Sequence, residues 1–168
     1  EKGEYDRAIE YHKKSLDIWL KTLGSEHPDV ASLYNNLGSV YYSKGEYDRA
    51  IEYFEKSLDI KLNILGSEHP DVAGSYNNLG STYNSKGEYD RAIEYHEKSL
   101  NIMLKILGSE HPDVAGSYNN LGSAYSSKGE YDRAIEYYEK SLDIKLKTLS
   151  SEHPDVARSY GNLGSAYS

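Results

Sequence analysis

Apolar positions along the chain recur at helical spacing, and residues 70–85 show this clearly. Apolar side chains three or four positions apart predict one buried stripe there: Val72, Tyr76, Leu79 and Tyr83. The segment His69-Pro70-Asp71 favours a helix start, because proline suits the first helical position and an acid suits the positive end of the dipole. Gly87 favours a left-handed cap at the other end. The pattern therefore predicts an amphipathic helix that ends near Lys86.

A second amphipathic helix is predicted over residues 88–107. Its core stripe is Tyr89, Ala92, Ile93, His96, Leu100, Leu104 and Leu107. Its opposite face is charged or polar: Asp90, Arg91, Glu94, Glu97, Lys98 and Asn101. One face of this helix is therefore expected to pack and the other to meet water.

The same helix pair recurs every 42 residues, four times over. The string KGEYDRAIEY begins at Lys2, Lys44, Lys86 and Lys128, and 36 of 42 positions are identical between 43–84 and 85–126. Eight helices are predicted, over about 4–23, 28–43, 46–65, 70–85, 88–107, 112–127, 130–149 and 154–168. Units of this size stack on one another to build their core. Residues 1–168 are therefore predicted to form a single all-α array, a right-handed α-solenoid of antiparallel helix pairs.

The repeated residues resemble the tetratricopeptide repeat. In the second unit the family's pattern falls on Tyr34, Leu37, Gly38, Tyr41, Gly45, Tyr47, Ala50, Phe54 and Ser57. The unit differs from the usual one in two ways, because it is longer than about 34 residues and has Leu62 where the family has a proline. The longer form, with LGSEHPDVA, is similar to the repeats of kinesin light chains and related bacterial arrays. The resemblance implies a protein or peptide partner, bound in a concave groove lined by the first helices.

Sixteen positions opposite the core of the first helices would line that groove. They are Ser32, Asn35, Ser39, Tyr42, Gly74, Asn77, Ser81, Asn84, Gly116, Asn119, Ser123, Ser126, Arg158, Gly161, Ser165 and Ser168. Arg158 is the one charged residue among them, which disfavours a clamp for carboxylates or acidic peptides. Amide side chains both donate and accept hydrogen bonds, so they suit the backbone of an extended peptide.

An adjacent asparagine column has two open interpretations. Asn36, Asn78, Asn120 and Asn162 lie at the edge of the groove stripe. They either face the groove or bond neighbouring helices.

Two columns of the second helices are interpreted as packing positions. His12, Phe54, His96 and Tyr138 share a core position, which predicts a slot for a flat ring. Trp19, Lys61, Met103 and Lys145 share a partly buried edge, where a lysine is expected to keep its charge in water.

Composition excludes several function classes. The 27 acidic residues exceed the 19 basic ones, giving a net charge of −8 that argues against nucleic acid as a partner. There is no cysteine, no apolar run that would span a membrane, and no phosphate-binding loop. The histidines at 27, 69, 111 and 153 belong to repeats about 8–10 Å apart, too far to share one metal ion. A non-enzyme without metal or cofactor, in the cytosol, is predicted.

The chain begins on a second helix and ends on a first helix, which predicts two mating ends. The end-to-end interface is expected to contain Tyr5, Ala8, Ile9, Leu16 and Leu20 at one end and Leu163 and Tyr167 at the other. Joining GSAYS to EKGEYD nearly recreates the internal GSAYSSKGEYD. Head-to-tail association of copies is therefore predicted.

Three function classes remain open from the sequence. The leading one is an interaction scaffold that presents a polar, uncharged groove to a peptide or protein. The second is a self-stacking structural spacer without a specific ligand. The third is a regulatory segment of an enzyme.

Overall fold

The computed structural model describes residues 2–168, which form eight α-helices and no strand. The helices are α1 (Lys2–Thr22), α2 (Pro28–Ser43), α3 (Tyr47–Leu65), α4 (Pro70–Lys86), α5 (Tyr89–Leu107), α6 (Pro112–Lys128), α7 (Tyr131–Thr148) and α8 (Pro154–Ala166). Every bound lies within two residues of the prediction. The all-α solenoid is confirmed, with each helix packed against the next in chain order.

The first helix of each pair, α2, α4, α6 or α8, begins with the same histidine cap. In α4 the backbone N–H of Asp71 donates to Nδ1 of His69 at 3.1 Å, and Pro70 occupies the first turn. The same bond recurs at His27, His111 and His153. It satisfies one of the amide groups that a helix start leaves without a partner. The histidine column therefore sets where the groove helices begin.

Glycine ends two of these helices as predicted. Gly87 and Gly129 adopt left-handed conformations, with φ of 89° and 85°. This region is strained for residues with a β-carbon, so the turn that leads to each second helix depends on glycine there.

The core runs continuously between the two helix layers. Its fully buried positions repeat along the first helices, for example Val72 and Leu79 in α4. Alanines at 50, 92 and 134 are fully buried on the facing second helices. Tyrosine pairs close the layer, with Tyr83 stacked on Tyr95 at 5.4 Å between ring centroids. Small residues on one helix thus leave room for large ones on the other.

The ring column fits against glycines, as the predicted slot requires. A β-carbon added at Gly38 would lie 2.6 Å from the ring of Phe54, and one at Gly122 would lie 2.6 Å from the ring of Tyr138. At Gly80 the nearest atoms belong to His96, at 2.8 Å. These contacts are shorter than van der Waals distance, so only glycine fits at these three positions.

Exposed ion pairs link each repeat to the next. Lys86 pairs with Asp48 of the preceding unit at 2.7 Å, and Lys128 with Asp90 at 2.8 Å. Pairs of this kind stabilise a fold by only about 0–1 kcal/mol each. The apolar core therefore holds the stack together, while the charges help to set its register.

Candidate functional site

The first helices form a continuous wall across the repeats. α4 contacts α6 directly, and side-chain hydrogen bonds join α2 to α4, α4 to α6 and α6 to α8. The exposed face of this wall carries the predicted groove positions and is called the groove here.

The predicted groove residues show graded exposure. Those that are exposed are Ser32, Asn36, Ser39, Tyr42, Gly74, Gly116, Arg158, Gly161, Ser165 and Ser168. Those that are half-buried are Asn35, Asn77, Asn78, Ser81, Asn84, Asn119, Asn120, Ser123, Ser126 and Asn162. The groove is therefore a lined surface in which many polar atoms are only partly hydrated.

An asparagine ladder crosses every repeat boundary of the groove. Nδ2 of Asn78 donates to Oδ1 of Asn35 at 3.0 Å. Asn120 donates to Asn77 at 2.8 Å, and Asn162 donates to Asn119 at 2.8 Å. Both asparagine columns thus take part in inter-helix bonding, which limits the first column's freedom to contact a ligand. Nδ2 of Asn77 makes no hydrogen bond within residues 2–168 and remains able to donate to one.

The ladder gives a direct prediction for stability. Replacing Asn120 with alanine is expected to destabilise the fold by about 1 kcal/mol, because it leaves Oδ1 of the half-buried Asn77 without its donor. Asn36 occupies the same repeat position but is exposed, and it has no such partner in residues 2–168. Urea unfolding should therefore show almost no change for Asn36→Ala. Equal losses for the two variants would contradict a role of the ladder in stability.

Two depressions lie between successive first helices. One, of about 320 Å³, is lined by Ser39, Tyr42, Ser43, Phe54, Asn78, Ser81 and Thr82. The other, of about 340 Å³, lies between α4 and α6, and Gly74, Asn77, Met103, Gly116 and Asn120 line much of it. A β-carbon at Gly74 or Gly116 would meet nothing within 4 Å. The depressions are open and large enough to accept side chains.

Polar groups near the C-terminal ends of the first helices differ between repeats. The Tyr42 hydroxyl shares a 3.0 Å hydrogen bond with Ser85, and its ring contacts Tyr47. The equivalent position in the next repeat is Asn84, whose Oδ1 is buried without a hydrogen-bond partner in residues 2–168. These substitutions give successive repeats different donors and acceptors.

Two lysines supply cationic groups whose contacts with the first helices were not predictable from helical spacing. Nζ of Lys61 donates to Oγ of Ser75 at 2.9 Å, and Nζ of Lys145 donates to Oγ of Ser159 at 2.8 Å. Burial lowers the pKa of both amines. Met103, at the equivalent position, lines the depression between α4 and α6.

Both lysines are half-buried, as the predicted edge position requires, and burial removes part of the water around each amine. Each stem runs between a second helix and the next first helix, so its amine ends at a buried serine. Met103 occupies the same repeat position, and this apolar residue was the sequence signal for the burial of the lysine stems. The faces of α2, α4 and α6 are uncharged as expected, and the two lysines share the repeat position of Met103, which lines the depression between α4 and α6.

The two ends of the array differ from the predicted mating surfaces. Ile9 and Leu16 are buried, as their internal equivalents Ile51 and Leu58 are, because they face α2. Their assignment to the open end was therefore wrong. Tyr5 and Leu20 are half-buried, like Tyr47 and Leu62 inside the array, so they do not mark the open face either. Only Ala8 of this predicted set is more exposed than its equivalents at 50, 92 and 134.

Large exposed side chains at the α1 end were missed. Tyr11 is 62% exposed and Ile18 is 59% exposed, whereas the equivalent Ile60 is 5% exposed. At the α8 end Tyr167 is 68% exposed, against 2% for Tyr41 and Tyr83. Leu163 is half-buried where its equivalents are fully buried. Comparison with the internal repeats thus identifies the open faces.

The described part of the chain was also compared with the requirements of a membrane-spanning helix and of a metal site. No helix there is both long and apolar enough to cross a membrane. Histidine and acidic side chains of residues 2–168 form no group of three that would hold a metal ion.

Solved structures similar to this chain are repeat proteins of the same architecture. The Podosopora anserina putative kinesin light chain with nearly identical TPR-like repeats is 34% identical, with a TM-score of 0.85, over 99% of this chain and 79% of that one. BtubC (BKLC) from P. vanneervenii is 28% identical, with a TM-score of 0.86, over 99% and 66%. MamA is 30% identical, with a TM-score of 0.67, over 99% and 78%. No curated protein matches the chain.

The tetratricopeptide repeat family matches over residues 1–63, 71–147 and 113–168. Repeats of this family generally mediate protein–protein interaction or scaffolding, and they are generally non-catalytic. The helix pairs, the groove and the matched residues agree, and the chain belongs to the tetratricopeptide repeat family.

Proposed function

We propose that the chain is a non-catalytic interaction scaffold whose groove binds an extended peptide or protein segment. The observation that carries this proposal is the pair of glycines at 74 and 116. Glycine inside a helix costs about 1 kcal/mol relative to alanine. Neither glycine has a neighbour that would exclude a β-carbon, yet both line the depression between α4 and α6. Packing does not explain why these helix positions hold the less favourable glycine. This supports a functional explanation, in which the glycines leave room for a ligand.

The chemistry of the groove favours a largely uncharged partner whose backbone N–H and C=O groups are not already hydrogen-bonded to each other. Nδ2 of Asn77 is a donor without a partner in residues 2–168, which suits a backbone carbonyl group of an extended chain. The depression beside Met103 suits an apolar side chain. Nζ of Lys61 and Nζ of Lys145 donate to serines of the first helices, so the second-helix layer contributes polar groups next to the groove wall.

Glutamine at positions 74 and 116 tests the proposal. We expect the double variant to lose binding at least tenfold, because two side chains would fill the depression between α4 and α6. We also expect it to unfold at a higher urea concentration, since glutamine is a better helix former. The probe is a phage-displayed library of unstructured peptides, selected on the unmodified chain and then measured against the variant. Alanine at Asn35, Asn77 and Asn119 is less informative, because it also removes acceptors of the ladder.

The matched control is Asn101→Gln, which changes an exposed residue on the opposite side of α5. Selected peptides should bind this control as they bind the unmodified chain. Peptides that bind all three proteins equally would overturn the groove as the site.

A self-stacking spacer is the second candidate role, supported by the exposed tyrosines at both ends. Tyr11 and Tyr167 are each more than half exposed, whereas their internal equivalents lie between packed helices. Repeat arrays depend on capping units with a polar outer face, whereas the outer faces of α1 and α8 carry exposed tyrosines. We propose that copies of the 168-residue chain associate through these faces. This role is independent of the groove, which the association leaves open.

A further inference from the structure

We infer that two copies complete a helix pair across their ends, with α8 of one copy packed on α1 of the next in the register in which α6 packs on α7. This inference rests on the end-to-end association proposed above. It goes further by specifying which side chains meet. The occupant of each open face is then a second copy of this chain.

The glycine slots provide the first argument. Gly38, Gly80 and Gly122 each receive a ring from the next helix, namely Phe54, His96 and Tyr138. Gly164 is the fourth glycine of this column, and it is exposed with nothing within 4 Å of an added β-carbon. His12 is the fourth member of the ring column, and it is only half-buried. Within residues 2–168, Gly164 therefore has no ring packed against it, and the His12 ring has no glycine against it, at opposite ends of one molecule.

The tyrosine stacks provide the second argument. Tyr41 stacks on Tyr53 at 5.3 Å, with ring planes 4° apart, and Tyr125 stacks on Tyr137 at 5.4 Å. Tyr167 and Tyr11 are the remaining members of these two columns, and both are exposed. The register that seats the His12 ring against Gly164 also brings these two tyrosines together. One placement thus satisfies two independent columns.

Polar groups fit the same register. Oγ of Ser57 donates to the carbonyl of Ala31 at 2.8 Å, and Ser141 donates to Ala115 in the same way. Ser15 and Ala157 are the corresponding pair across the junction, and both are more exposed than their equivalents.

Charges at the rim also match. Glu68 pairs with Lys105 at 2.9 Å, and Glu110 pairs with Lys147 at 3.0 Å. Glu152 at the α8 end and Lys21 at the α1 end have the corresponding positions and opposite charges. The junction therefore has apolar, hydrogen-bonding and charge complementarity in a single arrangement.

Such a contact is heterologous, so each added copy exposes a new open end. Association is expected to continue past the dimer as protein concentration rises. A closed dimer, in which two α8 faces meet, would use Tyr167 twice and Tyr11 not at all.

Alanine at Gly164 tests the register. Its β-carbon meets open space in the single chain, so the variant should be at least as stable to urea as the unmodified chain. At the junction the same atom would collide with the His12 ring of the next copy, as it would with Tyr138 at Gly122. Sedimentation velocity over a concentration series should show association weakened about tenfold or more, which corresponds to about 1.4 kcal/mol.

The control is Gly161→Ala, in the same helix and equally open. Asparagine occupies this position in the three internal units, so alanine is small enough for the junction and should leave association unchanged. Tyr11→Ala should weaken association as Gly164→Ala does.

Each contrary result has a distinct meaning. A chain that stays monomeric at every concentration would overturn the end-to-end association itself. Association that Gly164→Ala leaves unchanged would overturn the register alone, whereas a closed dimer insensitive to Tyr11→Ala would overturn the head-to-tail arrangement. None of these results bears on peptide binding in the groove.

Discussion

Replacing Gly122 with alanine is expected to destabilise the fold by about 2 kcal/mol, whereas the same change at Gly116 should stabilise it by about 0.5–1 kcal/mol. The two glycines lie in one helix, α6, so the gain in helix propensity is the same for both. At Gly122 the new β-carbon would lie 2.6 Å from the ring of Tyr138, which has to move within a packed core. At Gly116 it would enter open space. The difference between the variants therefore measures the ring contact alone.

Urea unfolding followed by far-ultraviolet circular dichroism measures both effects. The unfolding midpoint should fall for Gly122→Ala and rise for Gly116→Ala, with unchanged slopes. The contact is tested further in a Tyr138→Leu background, where a smaller side chain should reduce the cost of Gly122→Ala. If both glycine variants gained stability by the same amount, the close approach of α6 and α7 would be refuted.

The helices were predictable because each boundary has a local chemical cause. Pro70 and its equivalents start the first helices, and Gly87 stops one of them through its left-handed backbone. Near-identical units then repeat the same causes four times. The ring column was predictable for a similar reason, since only a core slot explains why phenylalanine, histidine and tyrosine exchange at one position.

The details of the groove were less predictable because they depend on angles between helices. Helical spacing shows that Asn77 and Asn78 lie near one another, but it does not show that Asn78 reaches Asn35 of the preceding repeat. The bond from Lys61 to a serine of the following helix was not predictable for the same reason. A single helix's periodicity carries no information about its neighbour's position.

The open ends show a related limit. Ile9 and Leu16 belong to the apolar stripe of α1, but that stripe faces α2 and is covered. Tyr11 and Ile18 are exposed instead, and they lie on a second apolar face of the same helix. A helix in the interior of a stack needs two such faces, one for each neighbour. Periodicity shows which residues share a face of a helix, but it does not show which neighbouring helix that face meets.

Stability is expected to depend on pH through the buried histidine of the ring column. His96 is 3% exposed, and burial lowers its pKa to about 4 from an ordinary value of 6.5. The folded chain therefore keeps this ring neutral at a pH where the unfolded chain binds a proton. This stabilisation is fully present above pH 6.5, and it is lost as the pH falls towards about 4. The loss amounts to about 3 kcal/mol, from 1.36 kcal/mol per pKa unit.

Phenylalanine, which the same column uses at position 54, isolates the histidine's contribution. Carboxylates also titrate in this range, so the informative quantity is the difference in unfolding free energy between the unmodified chain and His96→Phe at each pH. That difference should shift in favour of the variant by about 3 kcal/mol between pH 7 and pH 4. The reciprocal change, Tyr138→His, should add a second acid-sensitive ring and steepen the dependence on pH. A difference that stays constant across this range would show that the His96 ring is charged or hydrated in the folded chain, which its position against Gly80 contradicts.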